Sequence, residues 1–188
     1  MNLGTLGTLD GQHTIQIHAV DISNSANEYT SDVVSFRIDR ATPNVSIVTP
    51  TAGTMYRNAT LLGNITGTAS DANLTSVAVK IDTSDQTVSG TTSWTVTPDF
   101  AGLSEGTHTI TVTATDGSGK TKSASASFIK DTQAPTASFG NIASSGDPTV
   151  LTEITTNVNG TISDGVGTGL SSVTVKLDGV SQTQSLTA

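Results

Sequence analysis

The chain contains no cysteine, so a disulfide framework, a thiolate metal site and a cysteine nucleophile are all excluded. Aromatic residues are also scarce, at 4% of the 188 residues, and hydrophobic residues make up 34%. This supply of apolar side chains suits one or two small domains with modest cores, such as small β-sandwiches.

Positive charge is the next shortage, because 8 Lys and Arg stand against 16 Asp and Glu and the formal net charge is −8. The negative electrostatic potential of such a protein repels phosphate backbones, so it disfavours nucleic acid as a partner and favours cations. No run approaches the roughly 18 apolar residues of a membrane helix, and we expect no direct membrane insertion. Residues 1–11 lack the basic-then-apolar pattern of a secretion signal, so a secreted form is expected to be a mature or excised piece.

One strand pattern occurs twice and organises the rest of the sequence. Residues 106–119 read GTHTITVTATDGSG, in which apolar and polar side chains alternate until a turn sequence ends the run. The earlier copy, GQHTIQIHAVD, occupies residues 11–21, and His13 and His108 lie 95 positions apart. A period of two indicates a strand with one buried face, and the following Asp-Gly pair indicates a turn.

Further segments repeat in the same order on both sides of two linker prolines, Pro43 and Pro135. A proline at this place blocks continued strand pairing and fixes the direction of the chain between units. The segments predicted as strands are residues 33–38, 45–48, 65–71, 74–82, 93–96, 107–115, 123–129, 158–164 and 170–178.

The repeat predicts one complete domain between two partial ones. Residues 42–132 hold about seven short strands, which is typical of a Greek-key β-sandwich, and Trp94 is expected to be its buried anchor. Residues 1–41 would then be the C-terminal half of one unit, and residues 133–188 the N-terminal half of another. Two explanations stay open: a window cut from a longer array, or two half-domains that complete one another between neighbouring chains.

The repeated motifs resemble the tandem immunoglobulin-like repeats of large bacterial surface adhesins, and related domains occur in archaeal surface proteins. The motifs read DG-x-HTI, then F-x-x-D-x-x-x-P, then G-T-x-S-D and L-x-S-V-x-V-K-x-D. The matching residues are Asp10, Gly11, His13, Ile15, Ala19, Asp21, Phe36, Asp39 and Pro43, and again Gly106, His108, Ile110, Val112, Ala114, Asp116, Phe128, Asp131 and Pro135.

This resemblance implies an all-β protein of tandem immunoglobulin-like sandwiches at the cell surface, with a structural role in a stalk or filament. The partners would be neighbouring repeats or other copies of the chain, joined head to tail by completion of the half-domains. The alternative is an adhesion module that recognises a glycan or a host receptor through loops at one pole. Fold alone does not decide between the two.

Acidic residues at strand ends are the most informative chemical feature. In an immunoglobulin-like topology the loops after the second and sixth strands share the pole at which the chain enters, so Asp71 and Asp116 should face Asp39. Three carboxylates at a junction can hold a hard cation such as Ca²⁺, and the related adhesin repeats often bind Ca²⁺ at their junctions. The alternative is that these aspartates only cap turns. A second junction would use Asp131, Asp164 and, from a following unit, the equivalent of Asp21.

Catalysis is not indicated by any group of residues in the sequence. His13 and His108 hold the same repeat position on the inward face of a strand, which indicates a structural role, and His18 faces outward alone. No serine is paired with histidine and aspartate in a recognisable motif, so we expect a non-enzymatic protein.

Five asparagines begin N-x-Ser/Thr sequons without an intervening proline, which makes them candidates for N-glycosylation. Because the chain is rich in serine and threonine, about three sequons would arise by chance. The candidates are Asn44, Asn58, Asn64, Asn73 and Asn159.

Overall fold

The computed structural model describes residues 10–23, 27–140, 158–165 and 169–183, and strands dominate these ranges. The N-terminal part holds β1 (Gly11–Ile15), β2 (His18–Val20), β3 (Glu28–Thr30) and β4 (Val34–Ile38). The central part holds β5 (Asn44–Thr49), β6 (Thr54–Tyr56), α1 (Ala59–Leu62), β7 (Ile65–Ser70), β8 (Leu74–Ile81), β9 (Ser84–Gln86), β10 (Ser93–Val96), β11 (Gly106–Asp116) and β12 (Thr121–Lys130). The C-terminal part holds β13 (Thr136–Phe139), β14 (Gly160–Ser163), β15 (Val175–Leu177) and β16 (Val180–Gln182).

The central strands form a two-sheet sandwich, which confirms the predicted all-β fold. One sheet has the order β10-β7-β5 and the other the order β6-β12-β11-β8-β9, with β6 parallel to β12 and the other neighbours antiparallel. The chain crosses between the sheets after β5, β6, β7, β9 and β10. These crossings separate strands that follow one another in sequence, as in a Greek-key immunoglobulin-like arrangement.

The long strand β11 shows why alternation in the sequence becomes a sandwich. Its buried residues come at every second position, from His108 to Asp116, while its threonines lie toward the surface or are half-buried. Ile110, Val112 and Ala114 are fully buried and pack with residues from both sheets. The predicted one-sided strand is thereby confirmed.

Trp94 lies in this core, 1% exposed, as predicted. It stands opposite Gly67 in the pairing of β10 with β7. A Cβ placed on Gly67 would lie 2.2 Å from the indole ring and 2.1 Å from the carbonyl oxygen of Ser46. The position of the Trp94 ring in the core therefore requires a glycine at position 67 of the neighbouring strand.

In the central domain two short strands and one helical turn escaped prediction because they lack a periodic apolar pattern, and in the flanking parts β3, β13 and β16 did so too. The strand β9 is a polar edge strand, and β6 is only three residues long. The turn α1 begins at Asn58, whose side chain accepts a hydrogen bond from the Leu61 N–H and so caps the helix. The conformation of such short elements is determined by pairing and packing with adjacent strands, which a periodic pattern in the sequence does not reveal.

The flanking parts form two-stranded sheets in the described residues. In the N-terminal part β1 pairs with β4 and β2 pairs with β3. In the C-terminal part β13 pairs with β14 and β15 pairs with β16. The pairs β1–β4, β13–β14 and β15–β16 have counterparts at the matching repeat positions of the central sandwich. The domain boundaries at residues 41/42 and 132/133 stay predictions.

The close approach at Gly67 generates a prediction. Gly67→Ala should lower the free energy of unfolding by about 1–3 kcal/mol or more, since the new methyl group forces Trp94 or the β5 backbone to move. Urea unfolding followed by the fluorescence of Trp94, the single tryptophan, measures this effect. Ser70→Ala, an exposed change in the same strand, should stay within about 0.5 kcal/mol of the parent. Equal stability of all three proteins would contradict the packing described.

Candidate functional site

Three carboxylates meet where the chain enters the central sandwich. Asp39 follows β4, Asp71 follows β7 and Asp116 ends β11, so the fold collects them from three distant segments. One oxygen from each lies within 4.8 Å of the others. Asp116 is buried, and Asp39 and Asp71 are half-buried. These are the three residues that sequence reasoning assigned to the first junction.

Local hydrogen bonds fix the direction of two of these carboxylates, those of Asp116 and Asp71. The Oδ1 atom of Asp116 accepts from the Ser118 N–H at 2.8 Å, from the Ser118 hydroxyl at 2.7 Å and from the Lys120 N–H at 2.9 Å. Asp71 Oδ1 accepts from the Asn73 N–H at 2.8 Å. Each bond turns one carboxylate oxygen back to its own loop.

Two carboxylate oxygens of the cluster have no donor among the described residues. They are Oδ2 of Asp39 and Oδ2 of Asp116, both buried. The Asp116 side chain is 0% exposed, so water does not replace the missing partner freely. An unpartnered buried carboxylate oxygen is costly unless a cation or a donor reaches it.

Lys120 reduces the negative charge of the cluster. Its Nζ donates to the Asp39 carbonyl oxygen and to the Ser118 hydroxyl, both at 2.6 Å, and lies 4.0 Å from Asp116 Oδ2. Burial raises the pKa of Asp116, but the hydrogen bonds from Ser118 and Lys120 outweigh it and hold that pKa below its ordinary value. Three carboxylates and one ammonium thus leave two negative charges, which matches a divalent cation.

The residues predicted for a second junction come from the linker after β12, from the end of β14 and from the N-terminal part. Asp131 and Asp164 are half-buried, and Oδ1 of Asp131 has no hydrogen-bond partner among the described residues. Asp21 lies in the N-terminal part, where its Oδ1 accepts from the Ser23 N–H and hydroxyl. This Asp-x-Ser turn repeats that of Asp116. The second metal set needs a following unit and stays a prediction.

The sequon asparagines differ in accessibility. Four are exposed, and Asn73 is half-buried. A Cβ on Gly117 would lie 2.2 Å from Nδ2 of Asn73, so little space surrounds that nitrogen. The exposed candidates for glycosylation are Asn44, Asn58, Asn64 and Asn159.

A buried histidine lies near the opposite end of β11. His108 Nδ1 is 2.7 Å from Asp82 Oδ2, and Nε2 is 2.9 Å from the Ser104 carbonyl oxygen. Both partners are acceptors, so both contacts are hydrogen bonds only when the ring carries two protons. Asp82 also accepts from the Thr109 N–H at 2.8 Å. The predicted structural role of His108 fits this packing.

Sequence reasoning missed Asp82 as the partner of His108, because 26 residues separate them. Asp82 has φ +54°, a left-handed conformation that an aspartate tolerates in a tight hairpin. An aspartate directly after a run of alternating apolar residues was the available signal. Its partner could be named only once the register of β8 against β11 was known.

Taken together, the fold defines the central unit as an immunoglobulin-like β-sandwich with an acidic cluster at its entry pole. The family model described as a bacterial Ig domain matches residues 43–112, from the start of β5 into β11. Residues 43–112 of the central unit are thus similar to bacterial Ig domains, in agreement with the resemblance seen in the repeat motifs.

Two solved structures are similar to the chain at low identity. The endo-β-1,4-mannanase from Thermotoga petrophila shares 15% identity over 49% of this chain and 20% of its own, with a TM-score of 0.42. The fibronectin(III)-like modules of Clostridium thermocellum CbhA share 19% identity over 67% of this chain and 65% of theirs, with a TM-score of 0.38. This chain thus spans less than two thirds of either structure. No curated protein matches it, and the described part of the chain holds no helix of a length and apolarity that would cross a membrane.

The contact between His108 and Asp82 predicts a pH dependence of stability. The hydrogen bond from His108, followed by that from the Thr109 N–H, holds the pKa of Asp82 below its ordinary value of 3.8. A carboxyl whose pKa falls on folding stabilises the protein above its unfolded pKa, and this stabilisation is lost as the pH falls through the folded pKa.

Asp82→Asn should therefore be less stable than the parent at pH 6, and the two should converge as the pH falls below 3.8. Urea unfolding between pH 6 and pH 2.5 measures both curves. Asp85→Asn, which changes a carboxylate that is 79% exposed, serves as the matched control and should follow the parent. A constant gap between Asp82→Asn and the parent over this range would contradict the assignment.

Proposed function

We propose that the chain is an extracellular, non-enzymatic structural protein whose immunoglobulin-like units build a cell-surface stalk or filament. Neighbouring copies join head to tail when the N-terminal half-domain of one completes the C-terminal half-domain of the next. One observation carries this proposal: apolar positions that are buried in the central domain have exposed counterparts in the two flanking parts.

The contrast in exposure is large at matched positions. Val112 is 0% exposed, whereas Ile17, its counterpart in the N-terminal part, is 45% exposed. Ile81 is 2% exposed, whereas Leu177, its counterpart in the C-terminal part, is 64% exposed. Apolar faces on two-stranded sheets, whose outer edges are unpaired among the described strands, favour pairing with another chain.

The geometry of the linkers favours joining between chains. The N-terminal linker contacts the end of β11 at Asp116, because Lys120 binds the Asp39 carbonyl oxygen. The C-terminal linker begins at the other end of β11, where the Thr132 N–H and hydroxyl donate to Glu105. The 11 residues of β11 span about 33 Å. Half-domains attached at opposite ends fit an open, head-to-tail assembly.

A Ca²⁺ ion at the entry junction would stiffen such a filament. The argument rests on the three converging carboxylates and on the two buried oxygens of Asp39 and Asp116 that lack donors among the described residues. Ca²⁺ prefers oxygen ligands and tolerates irregular geometry, and the Asp39 ligand would tie the linker to the domain.

An adhesion role is the second candidate, and Tyr29 favours it. This side chain is 66% exposed in β3, beside Glu28 and Asp21 in a shallow groove. An exposed ring beside carboxylates suits stacking on a sugar. Binding on a glycan array that is lost in Tyr29→Ala would favour this role over a purely mechanical one.

The assembly proposal predicts a specific loss on mutation. The parent chain should form linear polymers by light scattering and negative-stain microscopy, and Ile17→Glu should leave monomers because it places a charge on the face to be buried. Ile22→Glu is the matched control, since Ile22 lies beyond the strand and is fully exposed already, and this variant should still assemble. A monomeric parent, or equal assembly of both variants, would contradict the proposal.

The cation proposal predicts a thermal shift. Ca²⁺ at a hundredfold excess over its dissociation constant should raise the melting temperature by about 10 °C or more. Asp71→Asn should lose most of this shift, because it removes one charged ligand while keeping the side-chain shape. Asp99→Asn changes an exposed aspartate outside the cluster and should keep the shift. An identical response of all three proteins would mean that these aspartates only cap turns.

A further inference from the structure

We propose that β1 of one copy pairs with β15 of a second copy in a defined register, with His13 of the first against Asp178 of the second. This inference rests on the proposed head-to-tail assembly and specifies its interface. In that register Ile15 lies opposite Leu177, and Ile17, two residues beyond the end of β1, lies opposite Val175.

The register comes from the central domain. There β11 pairs antiparallel with β8, with Ile110 opposite Ile81 and Val112 opposite Val79. The sequence of β1 matches that of β11 at an offset of 95, and the sequence of β15 matches that of β8 at an offset of 96. Strands of the same sequence pattern and the same buried face fit the same pairing, since a slip of one residue would reverse the faces.

The C-terminal hairpin already has the geometry of its central counterpart. Leu177 pairs with Val180 in the hairpin of β15 and β16, as Ile81 pairs with Ser84 in the hairpin of β8 and β9. Each hairpin also carries the same side-chain bond. Gln182 Nε2 donates to the Val180 carbonyl oxygen at 2.9 Å, and Gln86 Nε2 donates to the Ser84 carbonyl oxygen at 3.1 Å.

The N-terminal hairpin likewise contains a histidine, His13, at the repeat position of His108, which contacts Asp82 in the central domain. His13 lies opposite Phe36 in the pairing of β1 with β4, and the ring centroids are 5.6 Å apart. His108 lies opposite Phe128 in the pairing of β11 with β12, and those centroids are 5.4 Å apart. The imidazole of His13 therefore lies beside a phenylalanine ring of the neighbouring strand, as the imidazole of His108 does.

Asp178 has the backbone conformation of Asp82, the carboxylate partner of His108 in the central domain. Its φ is +49°, close to the +54° of Asp82, and these two are the non-glycine residues with positive φ in the described part of the chain. In the central domain this conformation brings the carboxylate to His108 Nδ1 and to the Thr109 N–H. Asp178 is exposed and adopts the conformation without a histidine at that place in its own hairpin.

Among the described strands, β1 and β15 each have one edge that is not hydrogen-bonded to another strand. In the described residues β1 is paired with β4 on one side, and β15 is paired with β16 on one side. Their counterparts β11 and β8 use the remaining edges to pair with each other. The occupant of each edge is thus a second copy of this chain, which carries the complementary strand and the complementary apolar face.

The absence of cysteine permits a direct test by disulfide formation. Thr111 lies opposite Lys80 on the outer side of the central pair, and their counterparts are Gln16 and Lys176. Full-length Gln16→Cys and full-length Lys176→Cys are mixed and oxidised, which should give one covalent heterodimer, since opposed residues lie about 5.5 Å apart. Gln12→Cys replaces Gln16→Cys in the control mixture, which should not cross-link because its Cα lies about 13 Å further along the strand.

A second measurement tests the ionic contact. Asp178→Asn keeps the left-handed turn, and it should raise the concentration needed for assembly by roughly tenfold or more, the effect of losing a charge-assisted hydrogen bond. Asp85→Asn is the control and should assemble like the parent. The melting of the central domain, followed through Trp94, should be the same in all these variants and so establishes that each is folded.

The outcomes separate the two proposals. Polymers that form without the disulfide of residues 16 and 176, or that cross-link as well in the Gln12→Cys mixture, would overturn this register and leave head-to-tail assembly standing. Polymers insensitive to Asp178→Asn would overturn the contact with His13. Chains that stay monomeric at all concentrations would overturn both the assembly and the interface.

Discussion

The inner face of β11 is the constraint on which the rest of the central domain depends. Five side chains, at every second position from His108 to Asp116, are buried along one strand. The three apolar ones hold the two sheets together, and the two polar ones lie toward the two ends of the sandwich. Because one rigid strand carries all five, the core and both poles are fixed relative to one another.

Burying a polar group at each end of a core is costly unless it is hydrogen-bonded, and the two buried polar groups differ in how fully their hydrogen bonds are made. His108 contacts a carboxylate and a carbonyl oxygen through its two ring nitrogens. Asp116 satisfies one oxygen with three donors and leaves the other without a hydrogen bond in the described residues. The first arrangement is complete within the domain, whereas the second leaves an oxygen for a ligand.

The physical requirements that stabilise the sheets of the central domain apply to the flanking hairpins as well. A sheet with one apolar face is stable when a second sheet covers that face and when its edges are paired or protected. Within the central domain both conditions are met by strands of one chain. In the flanking hairpins some of the equivalent apolar positions are exposed, such as Ile17 and Leu177, although the repeat pattern marks them as inward-facing.

The sequence by itself determined the local features of this protein. Alternation of apolar and polar residues predicted β11 and most of its neighbours, and the constant offset between copies predicted which residues play equivalent parts. Topological reasoning from the family resemblance also named Asp39, Asp71 and Asp116 as members of one junction. These features could be predicted because periodicity and turn chemistry are properties of short segments.

Only the tertiary structure decided which distant residues touch. The approach of Trp94 to Gly67 depends on the register of β10 against β7, and the pairing of His108 with Asp82 depends on the register of β8 against β11. Likewise, Asp116 leaves its Oδ2 without a donor among the described residues because its own loop binds the other oxygen. Register and side-chain direction are set when whole sheets pack together, so no single segment of the sequence contains them.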